Sequence, residues 1–219
     1  DIKLRVNKNL EFRSEFAATH AKPSAAQQSG NAYLAELNHH GESLQGKFYL
    51  REQQVGFGLG QQKGSETGTH KMGMDGHYRL AESLSANAQI YRQKNLATQA
   101  VRDVVDGDLL YSADVYSYSG GIRHARDEYN DDRVQTSDLL TLGAMRKALD
   151  KRLNMTANME TAVNKDANSD NPSRFILGAD YQLSAKMAVF VAQEQTIGDT
   201  RNSSSTRTGI KSSPWQDMT

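Results

Sequence analysis

Residues 153–163 alternate in character. Leu153, Met155, Ala157, Met159 and Val163 hold one set of positions; Asn154, Thr156, Asn158 and Glu160 hold the other. Side chains on an extended strand point by turns to its two faces. This segment therefore reads as a strand with one apolar and one wet face. The same period of two recurs over 10–18, 44–51, 71–80, 84–90, 175–183 and 206–211. Between such runs stand short spacers of one form: Val6-Asn-Lys-Asn-Leu10, Leu80-Ala-Glu-Ser-Leu84, Leu149-Asp-Lys-Arg-Leu153 and Leu183-Ser-Ala-Lys-Met187. A helical stripe has this spacing too, but the period-two flanks contradict a helix.

The connections alternate in kind. Long polar segments at 20–30, 58–69, 93–107, 128–137, 164–173 and 196–205 separate the short spacers. The stretch 39–43 also reads as a short turn. The mixed stretch 108–129 reads as two strands about a turn at Gly120–Gly121. A soluble sandwich has no reason to gather its short turns at one end. A barrel in the bacterial outer membrane does, with short periplasmic turns and longer outer loops. Its strands need ~9–11 residues to cross, and the backbone groups must all pair inside a closed sheet. The expected fold is thus all-β, an antiparallel up-and-down transmembrane barrel. About thirteen strands are expected, from a stub at 2–6 to an end near Ser212. Single-chain bacterial barrels have even counts, so residues 1–219 are expected to be one barrel segment of a longer protein or of an assembly. The opening "DIKLRV", with no Met and no signal peptide, fits a mature chain or a piece of one.

Composition excludes several classes. Lys plus Arg equals Asp plus Glu at 26 each, so the basic excess of a nucleic-acid binder is missing. The hydrophobic share of 37% is thin for a conventional core. The chain has no cysteine, which rules out disulfides, thiol catalysis and cysteine zinc sites. No apolar run approaches the ~18 residues of a membrane helix.

Residues 174–215 resemble the barrel region of large multidomain outer-membrane proteins of Gram-negative bacteria. The likeness rests on Gly178, Ala179, Asp180, Tyr181 and Leu183, then Lys186 and Glu194, then Ser205, Thr206, Arg207 and Gly209, then Pro214 and Trp215. Over the remainder it rests on the turn pattern alone. It implies the fold and the location, and no catalytic residue.

Candidate sites are few. His39–His40 are neighbours on a strand and face opposite ways, so they suit a solvated turn better than a shared metal. "GFGLGQ" (56–61) lacks the following helix of a phosphate loop. "DEYNDD" (127–132) and "NSDNPS" (168–173) lack the spacing of a calcium loop and read as solvated acidic loops. Asp127 and Glu128 show no sign of a desolvated carboxylate pair. No metal, cofactor or enzymatic activity is expected. The polar face carries Arg13, Lys47, Arg51, Lys71, Arg79, Gln89, Glu160, Asp180, Glu194, Arg207 and Lys211, the candidates for a hydrated lumen of mixed sign. Leu153, Met155, Met159, Phe175, Leu177 and Tyr181 are the lipid-facing candidates. Arg146 falls in the apolar register near a short turn, where a lipid-facing Arg costs ~0–1 kcal/mol rather than the ~2–4 of mid-depth. Tyr78 and Tyr181 stand before short turns, where either an interfacial girdle or plain strand propensity would put them.

The reading is an outer-membrane pore, export conduit or membrane anchor. Its partners would be outer-membrane lipid and either other protein chains or the rest of the same chain. The alternative is a soluble or cell-surface all-β binding or adhesin module, whose wet face is simply solvated.

Overall fold

The computed structural model describes residues 1–20, 29–57, 68–163, 173–198 and 202–212. They form thirteen strands: β1 (Ile2–Asn7), β2 (Leu10–Thr19), β3 (Gly30–His40), β4 (Leu44–Gln53), β5 (Thr69–Ala81), β6 (Leu84–Asn95), β7 (Val101–Ser112), β8 (Tyr116–Glu128), β9 (Val134–Ala148), β10 (Leu153–Ala162), β11 (Ser173–Ser184), β12 (Met187–Ile197) and β13 (Asn202–Ser212). All belong to one sheet in which every strand pairs with its sequence neighbours, an antiparallel up-and-down order. Among the described residues there is no helix. The fold is all-β, as the alternation requires.

The short connections fall where the Leu-x-x-x-Leu spacers put them. In the one at 149–152, Leu149, Asp150 and Lys151 all adopt positive φ, at 51°, 54° and 67°. The Arg152 amide closes the turn by donating to Leu149 O at 3.0 Å.

Two expectations are corrected. Gly120 and Gly121 lie inside β8, and the turn before it is residues 113–115. The glycines serve close approach rather than turning. A Cβ on Gly121 would stand 2.7 Å from Gly107 O and 2.8 Å from the Asp108 Cβ. The segment 93–107 is not a long loop either. β6 runs to Asn95 and β7 begins at Val101. Charged residues on both faces of β7 hide its alternation: Arg102 faces Asp127, and Asp103 accepts a two-pronged pair of hydrogen bonds from Arg92 at 2.7 Å each. The parts of "GFGLGQ" and "NSDNPS" at 58–61 and 168–172, and the motif residues Pro214 and Trp215, lie outside the described residues.

The chain contains two compact units. The first comprises Asp1–Leu80, Ala86–Asp106 and Ala125–Thr136; the second comprises Ala81–Ser85, Gly107–His124 and Ser137–Thr219. In the first, the registers align Leu4, Phe12, Leu37, Phe48 and Met74 in one row. The row one residue away, on the other face, aligns Glu11, Asn38, Lys47 and Asp75. In the second unit, Leu142, Met159 and Phe175 form one row, and Ala144, Ala157 and Leu177 the next row on that face.

Burial is inverted relative to a soluble protein. Phe48 is 56% exposed and Leu177 61%, while Tyr49, on the charged face between Lys47 and Arg51, is 2% exposed. Val104, Ala125 and Leu139 are also buried, each two residues along its strand from polar neighbours of the same face. The close-packed face is the polar one.

Candidate functional site

Alternation and register together assemble the polar face, so its charges meet across strands as well as along them. In the first unit Tyr49 is the centre. Its ring lies under two cations, Lys47 at 5.3 Å and Arg51 at 5.0 Å. It also covers Gly73, where any larger residue would collide with the phenol oxygen. Lys71 stands 4.0 Å from the centroid of Tyr91. Asp75 receives Lys47 at 3.3 Å and the Gln89 amide at 2.9 Å. Arg13 pairs with Glu15, Arg79 donates to the Glu42 carbonyl, and His77 Nδ1 contacts Asn87 Oδ1 at 2.8 Å.

In the second unit Glu194 accepts from two arginines. Arg174 Nε reaches one oxygen at 2.7 Å and Arg207 reaches the other at 3.2 Å. Lys211 donates to Asp180 at 2.6 Å and lies 5.2 Å over the Phe190 ring, which packs against Gly209. Glu160 is the register partner of Arg174 on this face. The sequence candidates thus gather by unit. Arg13, Lys47, Arg51, Lys71, Arg79 and Gln89 share the polar face of the first; Glu160, Asp180, Glu194, Arg207 and Lys211 share that of the second. Leu153, Met155, Met159, Phe175, Leu177 and Tyr181 all occupy the opposite face of the second unit. Such a charged face can hold water. Among the described residues it presents paired charges rather than an isolated nucleophile or acid–base pair.

Other features escaped the sequence. Tyr33, Glu52 and His70 meet on the apolar side of β3, β4 and β5, in register with Phe16. Tyr33 Oη lies 3.1 Å from Glu52 and 3.2 Å from His70 Nδ1, and His70 lies 3.0 Å from Glu52. Three strands supply them, so no local motif announces the cluster. On β12 and β13 the apolar face turns polar: Gln193 donates to Ser204 at 2.8 Å and accepts from Thr206. Tyr116 and Tyr118 stack in parallel, their centroids 6.4 Å apart.

Asp127, Glu128 and Asp131, three of the acidic candidates, are each paired with an arginine. Arg102 approaches Asp127 at 3.6 Å, Arg126 holds Glu128 at 2.7 Å and Arg133 holds Asp131 at 2.6 Å. Asp127 and Glu128 end β8 rather than lying in a loop. The hydrogen bond from Arg133 holds the Asp131 carboxyl below the usual carboxylate range. Lys151 does the same for Asp114, tying two short turns together. Among the described residues no three of His, Asp and Glu converge as metal ligands.

No family model matches the chain. No curated protein sequence matches it either. Solved structures do. An anion-selective porin from Comamonas acidovorans superposes on 82% of this chain with a TM-score of 0.57 at 15% identity. The ferric enterobactin receptor of Pseudomonas aeruginosa superposes on 95% with a TM-score of 0.50 at 13% identity. A KdgM porin covers 94% with a TM-score of 0.42 at 9% identity. This chain spans 57% of the length of the first structure and 42% of the second. At these identities the likeness is one of fold: up-and-down strands of the kind that build porins and receptor barrels.

Proposed function

We propose that this chain forms wall of a β-barrel pore in the outer membrane of a Gram-negative bacterium. One observation carries the reading: the apolar side chains are the exposed ones, and the face that packs closely is charged. All thirteen strands lie in a single sheet, so among the described residues no second sheet covers Phe48, Ile122, Leu177 or their neighbours. A contiguous apolar surface of this kind in water drives aggregation; in a bilayer it is the surface hydrocarbon requires. The polar face then lines a hydrated passage whose rim-to-rim mixture of Lys, Arg, Asp and Glu attracts ions of both signs.

The mechanism is passive. The hydrogen-bonded sheet excludes lipid, and the paired charges keep water in the lumen without closing a covalent cycle. Outer-membrane lipid is the immediate partner. In hydrocarbon the edges of β1 and β13 must be paired as well, since a bilayer tolerates no unpaired strand edge.

Reconstitution in a planar bilayer tests the proposal. Stepwise conductance from detergent-extracted protein is the expected result. Recovery of the chain as a monomer from the aqueous fraction, without detergent, would instead favour the surface-binding alternative.

A further inference from the structure

The apolar face of the second unit is not smooth. Ala144 pairs with Ala157, and Ala179 lies on the next strand opposite Met155. These short side chains leave a groove of about 640 Å³. The stacked rings of Tyr116 and Tyr118 form one wall, and Leu177 and Val191 contribute to the rest. Arg146 marks the end nearest the short turns. Its guanidinium rests on the Tyr116 ring, 5.5 Å from the centroid.

Arg146 differs from Arg152, Arg174 and Arg207 of this unit. Arg174 and Arg207 engage Glu194, and Arg152 donates to the carbonyls of Gln182 and Leu183. Arg146 is exposed and, among the described residues, has no carboxylate within ion-pair reach. It stands on the apolar face and three residues before the turn at 149–152. At about 3.3 Å per residue that is roughly 10 Å along the strand, the level of lipid headgroups rather than of mid-membrane hydrocarbon. A lone guanidinium at that depth, with an apolar groove leading away toward the membrane centre, is complementary to one molecule type: a lipid with an anionic head and a hydrocarbon tail.

We propose that this groove is a binding site for an anionic phospholipid. One acyl chain lies over Ala144, Ala157 and Ala179, and the phosphodiester accepts hydrogen bonds from Arg146 beside Tyr116. This rests on the membrane reading above and adds a specific lipid position to it. The first unit provides a natural comparison. Its apolar face also has a groove, of about 540 Å³, over Gly46 and Gly76 among Leu37, Phe48, Met74 and Ile90. Lys47 and Asp75, at its edge, belong to the opposite, polar face and pair with each other there. That groove has room for hydrocarbon but, among the residues that line it, no Lys or Arg of its own face for a phosphate.

The test is native mass spectrometry of the full chain, released from nanodiscs of equal parts phosphatidylglycerol and phosphatidylcholine. Each variant is first shown by its heat-dependent gel shift to be folded. Wild-type protein is expected to retain phosphatidylglycerol over phosphatidylcholine by about fivefold, the scale of one basic residue at an anionic lipid surface. Arg146→Gln should bring the ratio near unity, and Arg146→Lys should keep most of it. Ala157→Phe, which fills the groove, should lower retention of both lipids. Gly76→Phe, in the comparison groove, should leave the ratio unchanged. A wild-type ratio near unity, or an undiminished ratio in Arg146→Gln, overturns the lipid site while leaving the membrane reading intact. A chain that never enters the nanodisc overturns both.

Discussion

Tyr49 lies across Gly73 of the neighbouring strand: a Cβ on that glycine would meet the tyrosine Oη at 2.8 Å and the Tyr91 Cβ at 2.6 Å. Ile90 O stands closer still, at 2.5 Å. Backbone cannot give way as a flexible side-chain tip can, so Gly73→Val should cost about 1–3 kcal/mol through overpacking. Gly76, three residues on, has nothing within 4 Å of its missing Cβ. Gly76→Val should therefore stay within about 0.5 kcal/mol of wild type. The temperature at which the folded gel band is lost compares the two.

Glu194 holds two arginines on the polar face of the second unit. Glu194→Gln removes one negative charge and leaves both cations. Roughly 0.5 kcal/mol of Coulomb energy in a water-filled lumen corresponds to about a twofold gain in anion over cation permeability. Reversal potentials across a salt gradient read this directly, and the shift should shrink in high salt.

The Asp114–Lys151 pair joins turns 37 residues apart in sequence. Its depressed carboxyl pKa therefore belongs to the folded state. A lowered folded pKa contributes stability that is present above the unfolded value, about 4, and is lost as pH falls through the folded value. Acid should thus weaken wild type more than Asp114→Asn below about pH 4. Both groups are solvent-exposed, so the difference should be small and should fade with salt. Melting curves taken between acid and neutral pH supply the comparison.

The turn at 149–151 places three non-glycine residues at positive φ. Leu149 and Lys151 gain nothing from that conformation, and Asp tolerates it only moderately. Asp150→Gly should relieve strain and raise stability by up to about 1 kcal/mol, less the added chain entropy of glycine when unfolded. Urea-unfolding midpoints in detergent are the measurement.

How much of this was legible in the sequence depends on what each feature is made from. Alternation at 153–163 and 175–183 is local, and the strands there fell where the pattern put them. The spacers ending at Leu10, Leu84, Leu153 and Met187 located their turns for the same reason. Gly120–Gly121 misled because glycine serves two purposes. It relaxes φ in a turn, and it admits a neighbouring backbone within a sheet; only cross-strand distances separate these. β7 was hidden because Asp103 sits in the apolar register and is rendered tolerable by Arg92 on β6. The Tyr33–Glu52–His70 cluster and the alanine-floored groove each need three or more strands in known register. Their residue types, taken singly, carry no signal.

The most direct measurement asks what each face of β11 touches in a bilayer. The chain has no cysteine, so single spin labels can be placed at Phe175→Cys, Leu177→Cys and Ala179→Cys, and at Ile176→Cys, Gly178→Cys and Asp180→Cys. Labels in the first set should be relaxed by oxygen, which concentrates in hydrocarbon. Labels in the second should be relaxed by a water-soluble nickel complex. An alternation of period two between the reagents is the expected result; labels at 175, 177 and 179 shielded from both, or reached by nickel alone, would contradict a lipid-facing wall.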